Sequence, residues 1–337
     1  MPEINASVAV ADLLLTRSDV LDAKERLAGR VRRTPVVRSE DLDRRAGAQL
    51  WLKAENLQRG GSFKLRGALL AVERLAAAGS VGVVAQSTGN HAIAVALAAR
   101  ELGIPAALVL PEDAAPTKIR RIREAGAEVV LAGTVLAERI AVVEDLRVIR
   151  GYDVVDPYQN PDVVAGQGTA TAELLDQVRA EGRRLDAVVV PVGGGSAVAG
   201  ACLAAAGEHV AVVAAEPSAV PALTEALRSG QPVNVPVRPT IADGLRPDRI
   251  GRLPFDTCRE ALAEVLTVDE AEIAESMCVA LTHARLLIEP AAATALAAAL
   301  RLAVAPRWQG RNIGVLLSGG NVEESLVAAL LTEYAAQ

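Results

Sequence analysis

Lys64 is the residue whose position in the sequence best suits chemistry. It follows two glycines and a serine within residues 60–68, where apolar residues at helical spacing begin. The pattern predicts Ser62 as the helix N-cap, which places Phe63 and Lys64 in the first turn. The positive end of the helix dipole disfavours a cation there, so the amine loses its proton more readily. A neutral amine can attack a carbonyl and form a Schiff base, whereas the ordinary alternative is a lysine that extends into solvent.

A glycine-rich turn is the second candidate. It leaves an apolar strand at residues 187–190 and enters a helix through Ser196 and Ala197, and its glycines are Gly193, Gly194 and Gly195. Glycines allow close approach of the backbone to a ligand, and free N–H groups at a helix start bind phosphate. The turn favours a single phosphate over a dinucleotide, because Val198 stands where the third glycine of G-x-G-x-x-G would be. Glu216, about twenty residues on, keeps a nucleotide-binding oxidoreductase as a distant alternative.

Two further polar segments follow apolar strands. The first comprises Ser87, Thr88, Gly89, Asn90 and His91 at the start of a helix. Its hydroxyls, amide and N–H groups suit a substrate carboxylate, and an ordinary capped helix is the alternative. The second begins at Ser318, whose hydroxyl could bond a ring nitrogen without ionising it; a plain turn at a strand end is the alternative.

Strands that alternate with helices must position these segments. Each strand is a continuous apolar run, which predicts an α/β fold with mostly parallel sheets covered by helices on both faces. We expect a small domain at residues 84–152, inserted into a larger domain formed by 1–83 and 153–337. Ligands of such sheets bind at the carboxyl ends of the strands. The segments 87–91, 156–160, 193–196 and 318–321 all follow predicted strands there.

Composition excludes several classes of protein. The chain has 337 residues, a hydrophobic fraction of 51% and a net charge of −6, which argues against nucleic acid or an anionic membrane as a partner. Its three cysteines have no metal-ligand spacing, which is typical of free thiols in a reducing compartment. The first residues lack a basic signal-peptide region and predict a helix over 5–31. We therefore expect a cytoplasmic protein.

Five motifs together resemble the serine/threonine dehydratase family of fold-type II pyridoxal-phosphate enzymes, which includes serine racemase. In chain order they occupy residues 62–68, 87–91, 165–169, 191–195 and 318–321, with the sequences SFKLRGA, STGNH, AGQGT, PVGGG and SGGN. The resemblance covers nearly the whole chain. It implies the two-lobed architecture of the tryptophan synthase β-subunit type, pyridoxal 5'-phosphate as cofactor and a small amino acid as substrate. Members of the family are usually homodimers.

The resemblance also implies roles for individual residues. Lys64 would carry the cofactor through a Schiff base and act as the catalytic base, and Phe63 would pack on the pyridine ring. Asn90 would bond the ring hydroxyl, and Ser318 would face the ring nitrogen. Residues 193–197, from Gly193 to Ala197, would bind the phosphate, and residues 87–91 would bind the substrate carboxylate.

Departures from the family pattern carry information too. Ser196 replaces a fourth glycine, and Thr88 stands where racemases have a proton-carrying serine. Tyr158 occupies a loop position that is usually Phe or Asn in relatives, and we expect it to shape the substrate pocket. A metal site is not expected, because only Glu216 of the metal-binding pair is present and Ala222 stands at the second position. The length of the chain also leads us to expect no appended regulatory domain.

The leading prediction is a β-elimination that converts L-threonine or L-serine to a 2-oxo acid and ammonia. One alternative is a racemase, or a dehydratase of another β-hydroxy amino acid such as 3-hydroxyaspartate, suggested by Thr88, Ile93 and Tyr158. The distant alternative is the oxidoreductase that would use the glycine turn and Glu216 for a nucleotide.

Overall fold

A computed structural model describes residues 15–87, 89–114, 116–133 and 136–335. The chain forms two sheets. The larger has six strands in the order β1-β2-β10-β7-β8-β9, with only the β1–β2 pair antiparallel. Its strands are β1 (Val36–Val37), β2 (Gln49–Ala54), β7 (Ala187–Pro191), β8 (Ala211–Pro217), β9 (Leu262–Val268) and β10 (Asn312–Leu317).

The smaller sheet is entirely parallel and has the order β5-β4-β3-β6. Its strands are β3 (Val83–Gln86), β4 (Ala106–Leu110), β5 (Glu128–Leu131) and β6 (Asp153–Val154). They fall between residues 83 and 154, close to the segment 84–152 predicted as an inserted domain. We propose that this sheet and its helices form that domain.

Thirteen α-helices are present among the described residues and connect or cover these strands. They are α1 (Arg17–Leu27), α2 (Glu40–Ala46), α3 (Lys64–Ala77), α4 (Asn90–Leu102), α5 (Pro116–Glu124), α6 (Leu136–Arg150), α7 (Pro161–Ala180), α8 (Ser196–Ala205), α9 (Ala222–Ser229), α10 (Arg252–Cys258), α11 (Glu270–Ala284), α12 (Pro290–Val304) and α13 (Glu324–Ala335). The predicted N-terminal helix over 5–31 is described from Arg17 onward, and residues 1–14 lie outside the described part.

The central strands are apolar throughout because both faces of the larger sheet are buried. Along β7, Val188 and Val190 belong to one core, packed with residues of α7 and α8, while Ala187 and Val189 belong to the other, packed with α11 and α12. Alternating side chains thus enter two cores, so β7 is apolar on both of its faces. The prediction of mostly parallel sheets in an α/β fold is confirmed.

The helix that begins at Lys64 is capped differently from the prediction. Ser62 is extended and forms an isolated antiparallel bridge with Gly319, while the Phe63 amide donates to the Ser318 carbonyl at 3.0 Å. Phe63 is the N-cap residue and offers no side-chain cap. The prediction of Ser62 as the cap is wrong because its backbone pairs with the end of β10. Lys64 nevertheless lies in the first turn.

None of the helices within the described residues combines the length and apolar character needed to cross a bilayer.

Candidate active site

The predicted site residues converge on one cavity of about 950 Å³. It lies beyond the carboxyl ends of β3, β7 and β10, where ligands of parallel sheets bind. Its wall includes every predicted cofactor- or substrate-contacting residue that the structure describes: Phe63, Lys64, Ser87, Gly89, Asn90, His91, Tyr158, Gly193, Gly194, Gly195, Ser196, Ala197 and Ser318. Thr88 lies outside the described residues.

Lys64 differs from the other lysines of the chain. The sequence contains four lysines, and three of them form ion pairs: Lys24 with Asp176, Lys53 with Glu173 and Lys118 with Asp243. No described carboxylate lies within 4.0 Å of the Lys64 amine. Burial lowers the pKa of Lys64 to about 8, although the more distant charges of Asp156 and Glu289 oppose this shift. A substantial fraction of neutral, nucleophilic amine therefore exists near neutral pH.

The glycine turn has the geometry of an anion cradle. β7 ends at Pro191, and α8 begins at Ser196 with Gly195 as its N-cap residue. Gly195 has a φ of 99°, a left-handed conformation that favours glycine, and it supplies no side-chain cap. The first amides of α8 are therefore available to a ligand at the positive end of the helix.

Tyr158 closes one side of this turn. A Cβ at residue 194 would overlap the Tyr158 ring, so Gly194 is required by packing as well as by ligand approach. The Tyr158 amide donates to Asp156 Oδ1 at 2.8 Å, which fixes the loop. Burial raises the pKa of the Tyr158 phenol to about 12, so the side chain is neutral. The structure therefore brings the predicted pocket residue Tyr158 against the glycine turn.

The N-terminus of α4 forms another open donor site. Gly89 is the N-cap residue without a side-chain cap, and the Gly89 amide donates to Ser87 Oγ at 3.2 Å. His91 is buried, with Nε2 2.8 Å from the Val155 carbonyl oxygen. Because that carbonyl only accepts, Nε2 carries the hydrogen and Nδ1 has a free lone pair, which has no partner among the described atoms. Burial and the Lys64 charge lower the pKa of His91 to about 4, so the ring is neutral.

One acidic residue of the cavity wall, Glu289, was missed by the sequence analysis. Glu289, the N-cap residue of α12, lines the cavity, and both of its oxygens accept from Asn90 Nδ2, at 2.8 and 3.0 Å. Burial raises its pKa to about 7. Burial also raises the pKa of Asp156, which lies in the predicted segment 156–160 next to the cavity. Glu289 does carry a weak sequence signal, because it is a single charge immediately before the apolar run of α12.

Phe63 and Ser318 meet at the base of the cavity. The Lys64 amine lies 5.0 Å from the centroid of the Phe63 ring. Ser318 is buried directly after β10, and its carbonyl binds the Phe63 amide. The residue that follows β10 thus holds the start of α3, the helix that begins at Lys64.

Glu216 does not join the cavity. It ends β8, and its carboxylate accepts from the amides of Leu223 and Thr224, both at 2.9 Å, at the start of α9. These bonds occupy the carboxylate that a dinucleotide-binding interpretation would assign to a ribose. No group of metal-ligating side chains was found among the described residues.

The donor set fits pyridoxal phosphate. One cavity holds an amine with no ion-pair partner among the described residues, an uncapped glycine turn at a helix start, and a neutral serine hydroxyl at a strand end. These are the groups needed for an aldehyde, a phosphate monoester and a pyridine nitrogen.

Comparisons with known proteins agree with this fit. A model of the family described as "Pyridoxal-phosphate dependent enzyme" matches residues 27–319. An L-threo-3-hydroxyaspartate ammonia-lyase of Saccharomyces cerevisiae is 38% identical over 320 residues, covering 94% of this chain and 96% of the relative. Another of that name, from a Pseudomonas species, is 40% identical over 316 residues, covering 93% and 97%.

A solved structure gives the same result for the fold. The threonine deaminase from T.th. superposes with a TM-score of 0.86 at 39% identity, covering 92% of this chain and 99% of that one. The family match spans most of the sequence, and the aligned relatives span nearly all of it. The chain therefore belongs to the pyridoxal-phosphate-dependent enzymes of fold type II, and pyridoxal phosphate is its cofactor.

Proposed function

We propose that this enzyme is an ammonia-lyase for a β-hydroxy amino acid with a second carboxylate, of the 3-hydroxyaspartate class. The observation that carries this proposal is a group of basic side chains in the wall of the Lys64 cavity. Lys118 and Arg121 come from α5, and Arg139 comes from α6. All three belong to the helices of the smaller sheet.

Arg121 is the cation of this group that favours an acidic substrate. Lys118 is bound to Asp243 at 3.0 Å, so its charge is already compensated. Arg121 is half-buried, and no described carboxylate lies within ion-pair distance of it. A guanidinium that is partly withdrawn from water gains from a bidentate carboxylate partner. The β-carboxylate of 3-hydroxyaspartate offers this partner, whereas threonine and serine do not.

The remaining roles follow the geometry of the cavity. The N-terminus of α4, with Ser87, would bind the α-carboxylate, and the N-terminus of α8 would bind the cofactor phosphate. Lys64 would hold the cofactor and accept the α-proton, for which a pKa of about 8 is well matched. Bound pyridoxal phosphate supplies an electron sink for the α-carbon. The water lost with the β-hydroxyl is regained on hydrolysis, so the net reaction releases ammonia and a 2-oxo acid.

A threonine or serine ammonia-lyase is the second candidate. It was the leading prediction from the sequence, and the 39% identity to the threonine deaminase from T.th. supports it. The two candidate functions share the same reaction and differ in the substrate side chain that the cavity accepts. The balance between racemisation and elimination, the cytoplasmic location and the homodimer stay predictions.

A substrate panel with two arginine variants tests the proposal. We expect kcat/KM for L-threo-3-hydroxyaspartate to exceed that for L-threonine and L-serine by about 100-fold, because the unsatisfied cation penalises substrates without a second carboxylate. Coupled assays of 2-oxo acid release measure the rates, and chiral analysis of recovered substrate measures racemisation. Faster turnover of L-threonine, or recovered racemate without 2-oxo acid, would contradict the proposal.

Arg121→Gln should lower kcat/KM for 3-hydroxyaspartate by about tenfold or more and leave that for threonine nearly unchanged. Arg120→Gln is the matched control. Arg120 neighbours Arg121 on the same helix, but its side chain is 65% exposed and pairs with Glu124. An equal loss for both substrates in Arg121→Gln would contradict the assignment.

A further inference from the structure

Glu289 is a buried carboxylate to which the proposed function assigns no role. It is 4% exposed and lies at the start of α12, in the wall of the Lys64 cavity. No described lysine or arginine forms an ion pair with it. Its neighbours are the Asn90 side chain, the Asn321 backbone amide and the more distant charges of Lys64 and Asp243. Burying a carboxyl group to this extent costs free energy unless hydrogen bonds or opposite charges compensate it.

A relay of hydrogen bonds fixes how Glu289 meets Asn90. Asn321 Nδ2 donates to the Gly60 carbonyl at 2.8 Å, and a carbonyl only accepts, so this atom must be the nitrogen. The same nitrogen lies 2.7 Å from Asn90 Oδ1, which must therefore be the oxygen. Asn90 Nδ2 then faces Glu289, whose two oxygens accept from it. Only one orientation of both amides satisfies every contact.

We propose that Glu289 is a positioning residue that orients the Asn90 amide so that Asn90 presents a hydrogen-bond donor to the ring oxygen of the cofactor. With Oδ1 engaged by Asn321 and one Nδ2 hydrogen directed at Glu289, the second Nδ2 hydrogen is left for a ligand. A donor at that place stabilises the ionised form of a ring hydroxyl. Without Glu289, the amide loses the acceptor that defines its orientation.

The raised pKa of Glu289, about 7, is consistent with this role. An ionised carboxylate accepts through both oxygens, whereas a protonated one has a donor of its own and holds the Asn90 amide less strictly. Lys64 and Asp243 are the other charged groups that act on Glu289, with opposite effects on its ionisation.

The proposal rests on the assignment of Asn90 to the cofactor ring, so the experiment tests the two separately. The variants are Glu289→Ala, Glu289→Gln, Asn90→Ala and Asn90→Ala/Glu289→Ala, each loaded with pyridoxal phosphate and studied without substrate. The readouts are the pH titration of the visible absorption band and the Kd of the cofactor. Neither depends on which amino acid is the substrate.

We expect Glu289→Ala to shift the titration midpoint of the band by about one pH unit and to weaken cofactor binding about tenfold. Glu289→Gln keeps one acceptor and should restore most of the wild-type behaviour. The double variant should match Asn90→Ala alone, because Glu289 acts through Asn90. Circular dichroism of each variant separates these effects from loss of fold, and Glu289→Gln keeps the test valid where Glu289→Ala fails to fold.

Additive effects in the double variant would overturn the proposal, as would a wild-type titration and Kd in Glu289→Ala. An unchanged titration in Asn90→Ala would instead remove the assignment of Asn90 to the ring, and the proposal with it. The lyase activity itself would stand in that case.

Discussion

Helix α3 carries two basic residues, two positions apart, in opposite electrostatic environments: Arg66 is fully buried, and Lys64 is half-buried in the wall of the cavity. Arg66 forms bidentate hydrogen bonds with both Glu55 and Glu173, at 2.8 to 2.9 Å, and Lys53 adds a bond to Glu173 at 2.7 Å. Two cations therefore balance two anions in a network almost sealed from water. Lys64 lies in the wall of the cavity, and no described carboxylate forms an ion pair with it.

The pKa shifts express this difference. In the network, burial by itself would raise the pKa of Glu55, but the charge and hydrogen bonds of Arg66, with the charge of Lys53, together hold it below its usual range. In the cavity, burial dominates and lowers the pKa of Lys64 to about 8 while raising that of Glu289 to about 7. Fully paired charges define the fold, whereas unpaired titratable groups in a cavity are available for chemistry. Mutations in the network should therefore lower the stability of the fold, whereas mutations in the cavity should lower the activity.

Lys64→Ala tests the chemical side of the comparison. We expect turnover to fall by at least about 10⁴-fold, because both the covalent hold on the cofactor and the base are removed. The free energy of unfolding of the cofactor-free protein should change by about 1 kcal/mol or less, since no ion pair is broken. Steady-state assays and urea denaturation measure the two effects. A variant with retained turnover would contradict the role of Lys64.

Arg66→Ala tests the structural side. It leaves Glu55 and Glu173 buried without their main partner, so we expect a loss of about 3–5 kcal/mol in the free energy of unfolding. Urea denaturation of the cofactor-free protein provides the measurement. Arg44→Ala is the control, because its side chain is 73% exposed and that of its partner Asp41 is 62% exposed, and it should cost about 1 kcal/mol or less. Equal losses in the two variants would show that the network does not carry the stability attributed to it.

Gly194→Ala sharpens the account of the cavity. The added Cβ would overlap the Tyr158 ring, so we expect the phosphate turn to shift and the Kd of pyridoxal phosphate to rise by about 100-fold. Fluorescence titration of the cofactor-free protein measures this Kd. The double variant Gly194→Ala/Tyr158→Ala removes the clash and should recover about tenfold. Failure of the second substitution to recover any affinity would exclude the ring as the cause.

The rate of cofactor capture reports the state of the Lys64 amine. Burial lowers its pKa in the folded protein to about 8 from the ordinary 10.5, so the neutral fraction grows as the pH rises through 8. We expect the capture rate to fall about tenfold per pH unit below 8 and to level off above about 9. Stopped-flow absorbance from about pH 6.5 to 9.5 spans this transition and measures it. A midpoint near 10.5, the ordinary lysine value, would mean that burial does not tune this lysine.

The features that the sequence predicted correctly are those encoded by residues close together in the chain. Continuous apolar runs such as β7 indicate strands buried on both faces, and glycines at the start of α8 indicate a binding turn, because nearby residues encode both features. Contacts between side chains that are far apart in the sequence could not be predicted from it. Glu173, 107 residues from Arg66, turns a seemingly ordinary arginine into the centre of a buried network. The bridge from Ser62 to Gly319 displaced the predicted cap, and the contact between Asn90 and Glu289 spans 199 residues.

The central claim is that Lys64 binds the cofactor covalently. Chemical trapping tests it most directly, because the chain has only four lysines. The cofactor-loaded enzyme is reduced with borohydride and digested, and the peptides are mapped by mass spectrometry. We expect the pyridoxyl label on Lys64 alone, because the amines of Lys24, Lys53 and Lys118 are held in ion pairs. A label on one of those three lysines, with Lys64 unmodified, would contradict the account.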